Sequence, residues 1–282
     1  MVTVTRRDDS ELGTWTLVDS RPGDLVGLVD SIWFFDGESA TRRERHFPTG
    51  TLDLIVHLGG GQDRFRVVQG GSPGPCAPAS VGGLLVGPMV IEAPEGPCRV
   101  LGVRLTPAGA FALLGGPLGE LTGLTVDLHD LVRADAQPLV EGCEEAGCDV
   151  DRVRLAAAWI RSRLRRGPRI DRCVAGAVRE IERSGGGLPV STLGERLGVS
   201  RTRLRSTFRD QIGVTPKRFA RIVRFRRAAA ALREGSRGLS RLALQCGYYD
   251  QAHMNAEFRA MSGVSPLQFL DASRPEQVSL AE

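Results

Sequence analysis

Lysine is almost missing from this chain: Lys217 stands alone against 36 arginines. A coding bias toward G and C produces the same preference at every position. The abundance of Arg therefore says little by itself about planar, bidentate recognition. Aromatic residues are scarce, at 5%, with two Tyr and three Trp. None of the six cysteines (Cys76, Cys98, Cys143, Cys148, Cys173, Cys246) belongs to a C-x-x-C pair, which argues against a zinc ribbon or a dithiol redox site. Cys143 and Cys148 are close neighbours, but no histidine lies at a ligand spacing from them, and a surface turn is the expectation there. The N-terminal MVTVTRRDDSELG lacks an apolar h-region, so no secretory signal is expected, and the thiols read as reduced ones in the cytoplasm. The longest uncharged run, residues 67–91, holds four Pro and six Gly, which suits strands and turns rather than a membrane span. No Walker loop, H-E-x-x-H or G-x-S-x-G occurs, and no catalytic, metal or cofactor residues are assigned.

What is present is ordinary for a folded chain of 282 residues, with 41% hydrophobic and 25% charged residues and a length suited to two domains. The net charge of +4 conceals a division. Residues 1–167 carry 17 Arg against 22 acids, a net of −5, and residues 168–282 carry 20 basic residues against 11 acids, a net of +9. Between 201 and 241 there are 13 basic residues, with only Asp210 and Glu234 opposing them. A polyanion partner for the second half and a solvated basic face are equally open on charge alone.

Short apolar segments in the first portion (25–35, 52–58, 65–68, 84–91 and 100–105) are separated by Gly, Pro and Asp clusters and predict a small β barrel or sandwich. A short helix is predicted at 107–114 and a longer one at 151–166. On the latter, Val153, Ala157, Ile160 and Leu164 form a stripe for packing on its own domain or for a dimer seam. From residue 170 onward helices follow one another, near 170–184, 191–198, 201–211, 216–234, 239–246, 251–261 and 266–272. The division expected is a β-rich domain at 1–150, a connecting helix and linker at 151–167, a helical domain at 168–274 and a tail at 275–282.

Two segments of the helical part have the components of a helix-turn-helix. In Val190–Ser200, Leu193 and Leu197 lie one turn apart, Gly198 ends the helix and Ser200 caps the next. That next helix has apolar anchors at Leu204 and Phe208 and leaves Arg201, Thr202, Arg205, Ser206 and Arg209 on its open side, as a reader of the DNA major groove requires. The arrangement recurs after Leu239, with Leu242 and Cys246 in the first helix, Asp250 as cap, and anchors at Met254 and Phe258. Gln251, Ala252, Asn255 and Ala256 are then left outward. Each unit closes alike, with Gly213-Val-Thr-Pro216 and Gly263-Val-Ser-Pro266. Between them, residues 216–234 form a helical spacer of about 28 Å, comparable to the ~34 Å between successive major-groove faces. Its Lys217, Arg218, Arg221, Arg224 and Arg227, together with Arg209, are the expected phosphate contacts.

These paired closings, the long joining helix with Arg224 and Ala228, and the run Ala243-Leu-Gln-Cys-Gly-Tyr-Tyr-Asp-Gln-Ala-His253 resemble the DNA-binding domain of the arabinose-regulator (AraC/XylS) family of bacterial transcription regulators. The resemblance covers about a third of the chain. It implies seven helices with two helix-turn-helix units, and base readers at Arg201, Thr202, Arg205, Ser206, Gln251, Ala252, Asn255 and Ala256. Many members carry a basic or polar residue where Ala256 stands. The runs His46–His57 and Gly102–Pro107 look like the cupin-like sensor domains attached to some relatives, giving an α+β chain with a cupin-like first domain. The metal-binding H-x-H…E…H pattern of enzymatic cupins is absent. Trp33, Phe35, His46, His57 and Arg104 are taken as candidate effector-pocket residues from their polarity and aromaticity on predicted strands. The reading is a cytoplasmic, non-enzymatic DNA-binding regulator without a membrane segment. Its expected partners are double-stranded DNA, a small-molecule effector, RNA polymerase and a second copy of the chain. A ligand-independent dimerising regulator and a cupin-type enzyme fused to a DNA-binding module are the alternatives.

Overall fold

A computed structural model describes residues 2–10, 13–39, 41–60, 64–71, 73–236 and 238–272, and the tail expected at 275–282 lies outside the described residues. The first portion comprises β1 (Val2–Ser10), β2 (Gly13–Arg21), β3 (Val29–Ser39), β4 (Arg43–His46), β5 (Leu52–Leu58), β6 (Arg66–Gln69), β7 (Gly74–Pro75), β8 (Ala79–Gly82), β9 (Met89–Glu92) and β10 (Cys98–Leu105). After α1 (Pro107–Leu114) come a 3-10 turn at Leu118–Glu120, β11 (Thr125–Asp127), α2 (Leu128–Val132), α3 (Gln137–Glu145) and α4 (Asp149–Arg166). The remainder is helical: α5 (Arg172–Arg183), α6 (Val190–Leu197), α7 (Arg201–Ile212), α8 (Pro216–Arg233), α9 (Leu239–Gln245), α10 (Gln251–Ser262) and α11 (Pro266–Ala272). This is the α+β, two-part architecture expected from the sequence.

One antiparallel sheet runs β1-β2-β3-β10-β5-β8-β11 and a smaller one runs β4-β9-β6-β7. Alternation along β5 gives each face of the larger sheet its role. Leu52, Leu54, Val56 and Leu58 are buried in a core shared with α3 and α4, whereas Asp53, Ile55 and His57 turn to the cavity described below. Gly102 of β10 stands in register between Trp33 of β3 and Ile55 of β5. A Cβ at that position would collide with the Trp33 indole, so glycine is what lets the ring lie across the strand.

The stripe on α4 is spent within the molecule. Val153, Ala157 and Ile160 are fully buried and Leu164 is half-buried against the same core, so the stripe packs on its own half of the chain rather than forming a dimer seam. Cys143 also departs from the surface turn expected for it. It is buried on α3 with its thiol pKa pushed up to about 11 by burial, while Cys148 is exposed before α4, its Sγ donating to Asp151 Oδ2 at 3.2 Å. The strand expected over 84–91 is divided. β8 precedes it, β9 takes its end, and residues 83–88 cross from one sheet to the other. Gly83 permits the crossing because its Cα approaches the Leu121 backbone too closely for any side chain. The β1–β2 hairpin was not anticipated.

The two halves share one core. Phe47, in the loop after β4, packs against Phe225 of α8 and Phe269 of α11, with ring centroids 6.4 and 5.4 Å away. Phe258 of α10 completes the group, 4.9 Å from Phe225 and 5.2 Å from Phe269. Arg226 donates to the Thr49 carbonyl at 3.0 Å, and the Thr122 hydroxyl donates to the Gly213 carbonyl at 2.5 Å.

Gly109 supplies a test of this packing. In a free helix Ala is favoured over Gly by about 1 kcal/mol. Here a Cβ would run into the Leu28 carbonyl oxygen, against which α1 is docked. Gly109→Ala is expected to destabilise the protein by about 1–3 kcal/mol, read from its urea midpoint. A stabilised variant would show that α1 does not sit against Leu28.

Candidate nucleic-acid interface and cavity

Both expected helix-turn-helix units form from local signals. Gly198 adopts φ 65° at the end of α6, and the Val199 amide closes back onto the Gly194 carbonyl. Ser200 caps α7 by accepting from the Arg203 amide, and Asp250 caps α10 by accepting from the His253 amide. Thr215 caps α8, with Pro216 at its first position. Gly213 and Gly263 end the two candidate reader helices at φ 101° and 78°.

On α7, Leu204 and Phe208 are buried, the latter edge-on to Phe219 at 5.8 Å, while Arg201, Thr202, Arg205, Ser206 and Arg209 are exposed. The Ser206 hydroxyl donates back to the carbonyls of Thr202 and Arg203. On α10, Met254 and Phe258 are buried and Ala252 and Ala256 are exposed. Gln251 and Asn255 are half-buried. Gln251 Oε1 accepts from Ser240 at 2.7 Å, and Asn255 Oδ1 is buried without a hydrogen-bond partner among the described residues. The first reader thus offers a more open polar face than the second.

The cations assigned to phosphate divide into two groups. Arg209, Lys217, Arg218 and Arg227 are exposed. Arg221 and Arg224 differ from the expectation because they turn toward Glu257 of α10, with distances of 2.6 and 3.2 Å. Arg224 also donates to the Gly186 carbonyl at 2.8 Å and lies over the Tyr248 ring. Glu257 holds His253 as well, with Nε2 at 3.7 Å, and so fastens the second reader to the spacer helix. The sequence reading missed Glu257. The available signal was a carboxylate on an otherwise cation-rich module, on a reader helix but off its outward face.

The N-terminal half holds both readers by their C-terminal ends. Gly213 lies near Leu84 and against Leu118 and Thr122, and Arg209 lies beside Gly119. Gly263 lies against Pro88, and Gly87 approaches the Ala260 carbonyl. The crossing segment 83–88 therefore touches the equivalent closing turn of each repeat. The N-terminal halves of α7 and α10, the part of such helices that meets base edges, are left free of it.

Of the five candidate pocket residues, Trp33, His46, His57 and Arg104 line one cavity of about 290 Å³. Phe35 is not among its lining residues and packs against Trp15 at 6.1 Å. The cavity lies between the two sheets, and its roof comes from the helical half through Phe225, Arg226, Ala229, Ala230 and Arg233 of α8 and Phe269 of α11. The ion pair of Arg104 with Asp53, at 3.3 Å, sits on its wall. His57 is 3% exposed, and its Nδ1 lies 3.3 Å from the Ala77 carbonyl. Among the described residues no cluster of three or more His, Cys, Asp or Glu is placed to hold a metal, and no helix is long and apolar enough to cross a membrane.

These features define a helix-turn-helix protein with a cavity-bearing sheet domain. Residues 193–272 match the family described as a helix-turn-helix domain, and residues 22–127 match a domain of unknown function (DUF6597). Over 80 residues the chain is 34% identical to the HTH-type transcriptional activator RhaR of Klebsiella pneumoniae, which covers 28% of each protein. The chain thus spans under a third of the length of the curated relatives it matches. A probable AraC family transcriptional regulator from Rhodopseudomonas palustris is 26% identical, over 37% of this chain and all of that one, with a TM-score of 0.34. ToxT from Vibrio cholerae is 10% identical over 84% of this chain and 98% of its own, with a TM-score of 0.47. The C-terminal part of the chain is thus a helix-turn-helix domain, similar over its 80 matched residues to that of the activator RhaR.

Burial lowers the pKa of His57 from 6.5 to about 4, against the opposing effect of the Ala77 carbonyl and with Arg64 adding a small repulsion. As pH falls through this window the unfolded chain binds a proton that the folded chain refuses. Stability is therefore expected to decline from pH 6.5 toward 4, by about 3 kcal/mol at 1.36 per unit. Urea titrations at stepped pH should show this decline, and His57→Gln should remove it. An unchanged slope in the variant would place the acid sensitivity elsewhere.

Proposed function

We propose that this protein is a sequence-specific, DNA-binding transcription regulator of the AraC type, responsive to a small-molecule effector held in its N-terminal half. The observation that carries the reading is the pair of repeat-related helices, each buried along its back, the first exposed along its front and the second partly so, joined by one continuous 18-residue helix. In this reading Arg205 pairs with guanine through its fork of donors, and Gln251 or Asn255 serves adenine. Arg201, Thr202 and Ser206 complete the first reading face, and Ala252 and Ala256 supply methyl contacts in the second. Arg209, Lys217, Arg218 and Arg227 meet phosphates and make affinity salt-dependent. Arg221 and Arg224 act as positioning residues through Glu257. The cavity beneath α8 supports the effector role, because its occupant would touch the helix that sets the spacing of the readers. RNA polymerase is the implied downstream partner, and a homodimer would have to use a surface other than the buried stripe of α4.

The test is to sequence the genomic fragments that the purified protein retains, then to titrate one of them at several salt concentrations. A shared sequence element is expected, with affinity falling steeply as salt rises. Arg205→Ala should cost about 1–3 kcal/mol at a single base position and relax preference there, whereas Lys217→Ala should weaken all sequences alike and reduce the salt slope by about 1. Retention of fragments without a shared element would overturn the reading. Equal losses on all sequences for Arg205→Ala would move that residue to the backbone.

A further inference from the structure

Glu44 stands on β4 where an apolar residue would be expected. In the smaller sheet it lies opposite Ile91 of β9, which in turn faces Val67 of β6, and two positions along the strand His46 lies opposite Met89. Residues paired in this way share one face, and all five line the cavity. The carboxylate is thus on the inner, largely apolar side of the sheet. Its side chain keeps 17% of its surface open, whereas His46 Nε2 is buried without a hydrogen-bond partner among the described residues. A carboxylate in such surroundings is costly unless a counter-charge meets it.

Among the described residues no arginine pairs with it. The basic group that faces it is His46, whose Nε2 is 3.6 Å away, beyond ordinary hydrogen-bond length, and which is charged only when protonated. Arg43 is paired with Glu92 at 3.1 Å. Arg45, also on the lining, alternates to the other face of β4, is exposed and lies near Gly263. Of the other guanidiniums on the lining, Arg104 is neutralised by Asp53 and Arg226 by Glu182. Arg233 is exposed, which lets water screen it, and lies over the Phe269 ring. The lining also presents Trp33, Phe65 and Phe225, and the faces of such rings attract cations. The volume of about 290 Å³ is at the lower end for ligand sites, which leaves room for a compact molecule.

Resting on the regulator reading for its biological role, we propose that the cavity takes a compact lipophilic cation, an ammonium group set against the Glu44 carboxylate and carried on an apolar body that lies along the aromatic walls. The charge selects the ligand, and burial of its body supplies most of the affinity. Because Phe225, Arg226 and Ala229 come from the spacer helix, the occupied cavity is in contact with the element that joins the two readers.

Calorimetry on the full chain without DNA tests the chemistry separately from regulation. The probes share one ring system and differ in charge: 2-naphthylmethylammonium, the neutral 2-naphthalenemethanol and the anionic 2-naphthoate. The ammonium is expected to bind at one-to-one stoichiometry about tenfold tighter than the alcohol, with the carboxylate weakest. Glu44→Gln, which keeps the shape of the side chain and removes its charge, should leave the affinity for the alcohol in place and abolish the preference for the ammonium. The wild-type order requires no variant to fold. An alcohol or carboxylate bound as tightly as the ammonium, an unchanged preference in a folded Glu44→Gln, or no binding of any probe would each overturn the proposal. Failure to retain specific DNA would sink the regulator reading alone, because the calorimetric order does not depend on it.

Discussion

The cluster of Phe47, Phe225, Phe258 and Phe269 is the contact on which the rest of the structure depends. Phe47 comes from the sheet domain, Phe225 from the spacer helix, Phe258 from the back of the second reader and Phe269 from the closing helix. Tilted and edge-on ring pairs at these separations add about 0.5–1.5 kcal/mol each beyond the area they bury. Their arrangement matters more than their sum. Each ring belongs to an element with a different task, so none of these elements can shift without disturbing the others. The single ring contributed by the sheet domain meets two helices of the other half, which ties the cavity roof to the body that carries the readers.

Charge reinforces the same joint. Glu257 is the acidic partner of Arg221, Arg224 and His253, and all four groups lie where α8 crosses α10. A half-buried carboxylate between two guanidiniums is stable only as a set, because removing one member leaves the others short of a counter-charge. The basic surplus read from the sequence is therefore not all available to a polyanion. Part of it is consumed inside the module, and of the cations expected at phosphates only Arg209, Lys217, Arg218 and Arg227 are left exposed.

The helical half was legible because its signals are local. Gly198, Ser200, Asp250 and the two G-V-[ST]-P closings each set a terminus within one turn, and the repeat made each unit a check on the other. The short helix at 107–114 and the strand at 52–58 were readable for the same reason, since Thr106–Pro107 and the flanking glycines mark their ends. The β1–β2 hairpin escaped notice because its apolar alternation is short, Val2 and Val4 on one strand and Trp15 and Leu17 on the other, and the middle of the first strand is the charged Arg6-Arg7-Asp8. The run 84–91 misled for the opposite reason. Its hydrophobicity is that of a core strand, yet of residues 84–88 only Leu84 is fully buried, and the segment is covered by elements far away in sequence, among them the turn of each reader. Ion pairs such as Arg226 with Glu182 and contacts such as Thr122 with Gly213 span 44 and 91 residues, and no window on the sequence contains them.

Helix α8 occupies a position from which sensing and reading would be one process under the proposed function. One face closes the cavity through Phe225 and Ala229, another binds the second reader through Arg221 and Arg224, and its first turn follows directly from the first reader. A ligand shifts such a system only by the difference in its affinity for two placements of that helix. An occupant held wholly by the sheet domain would have no such difference and could not act, however tightly it bound. An occupant that touches α8 does, and the same free energy then appears reciprocally as a change in ligand affinity when DNA is bound. The wall of this cavity that comes from the helical half is thus the part that decides whether filling it has any consequence for DNA.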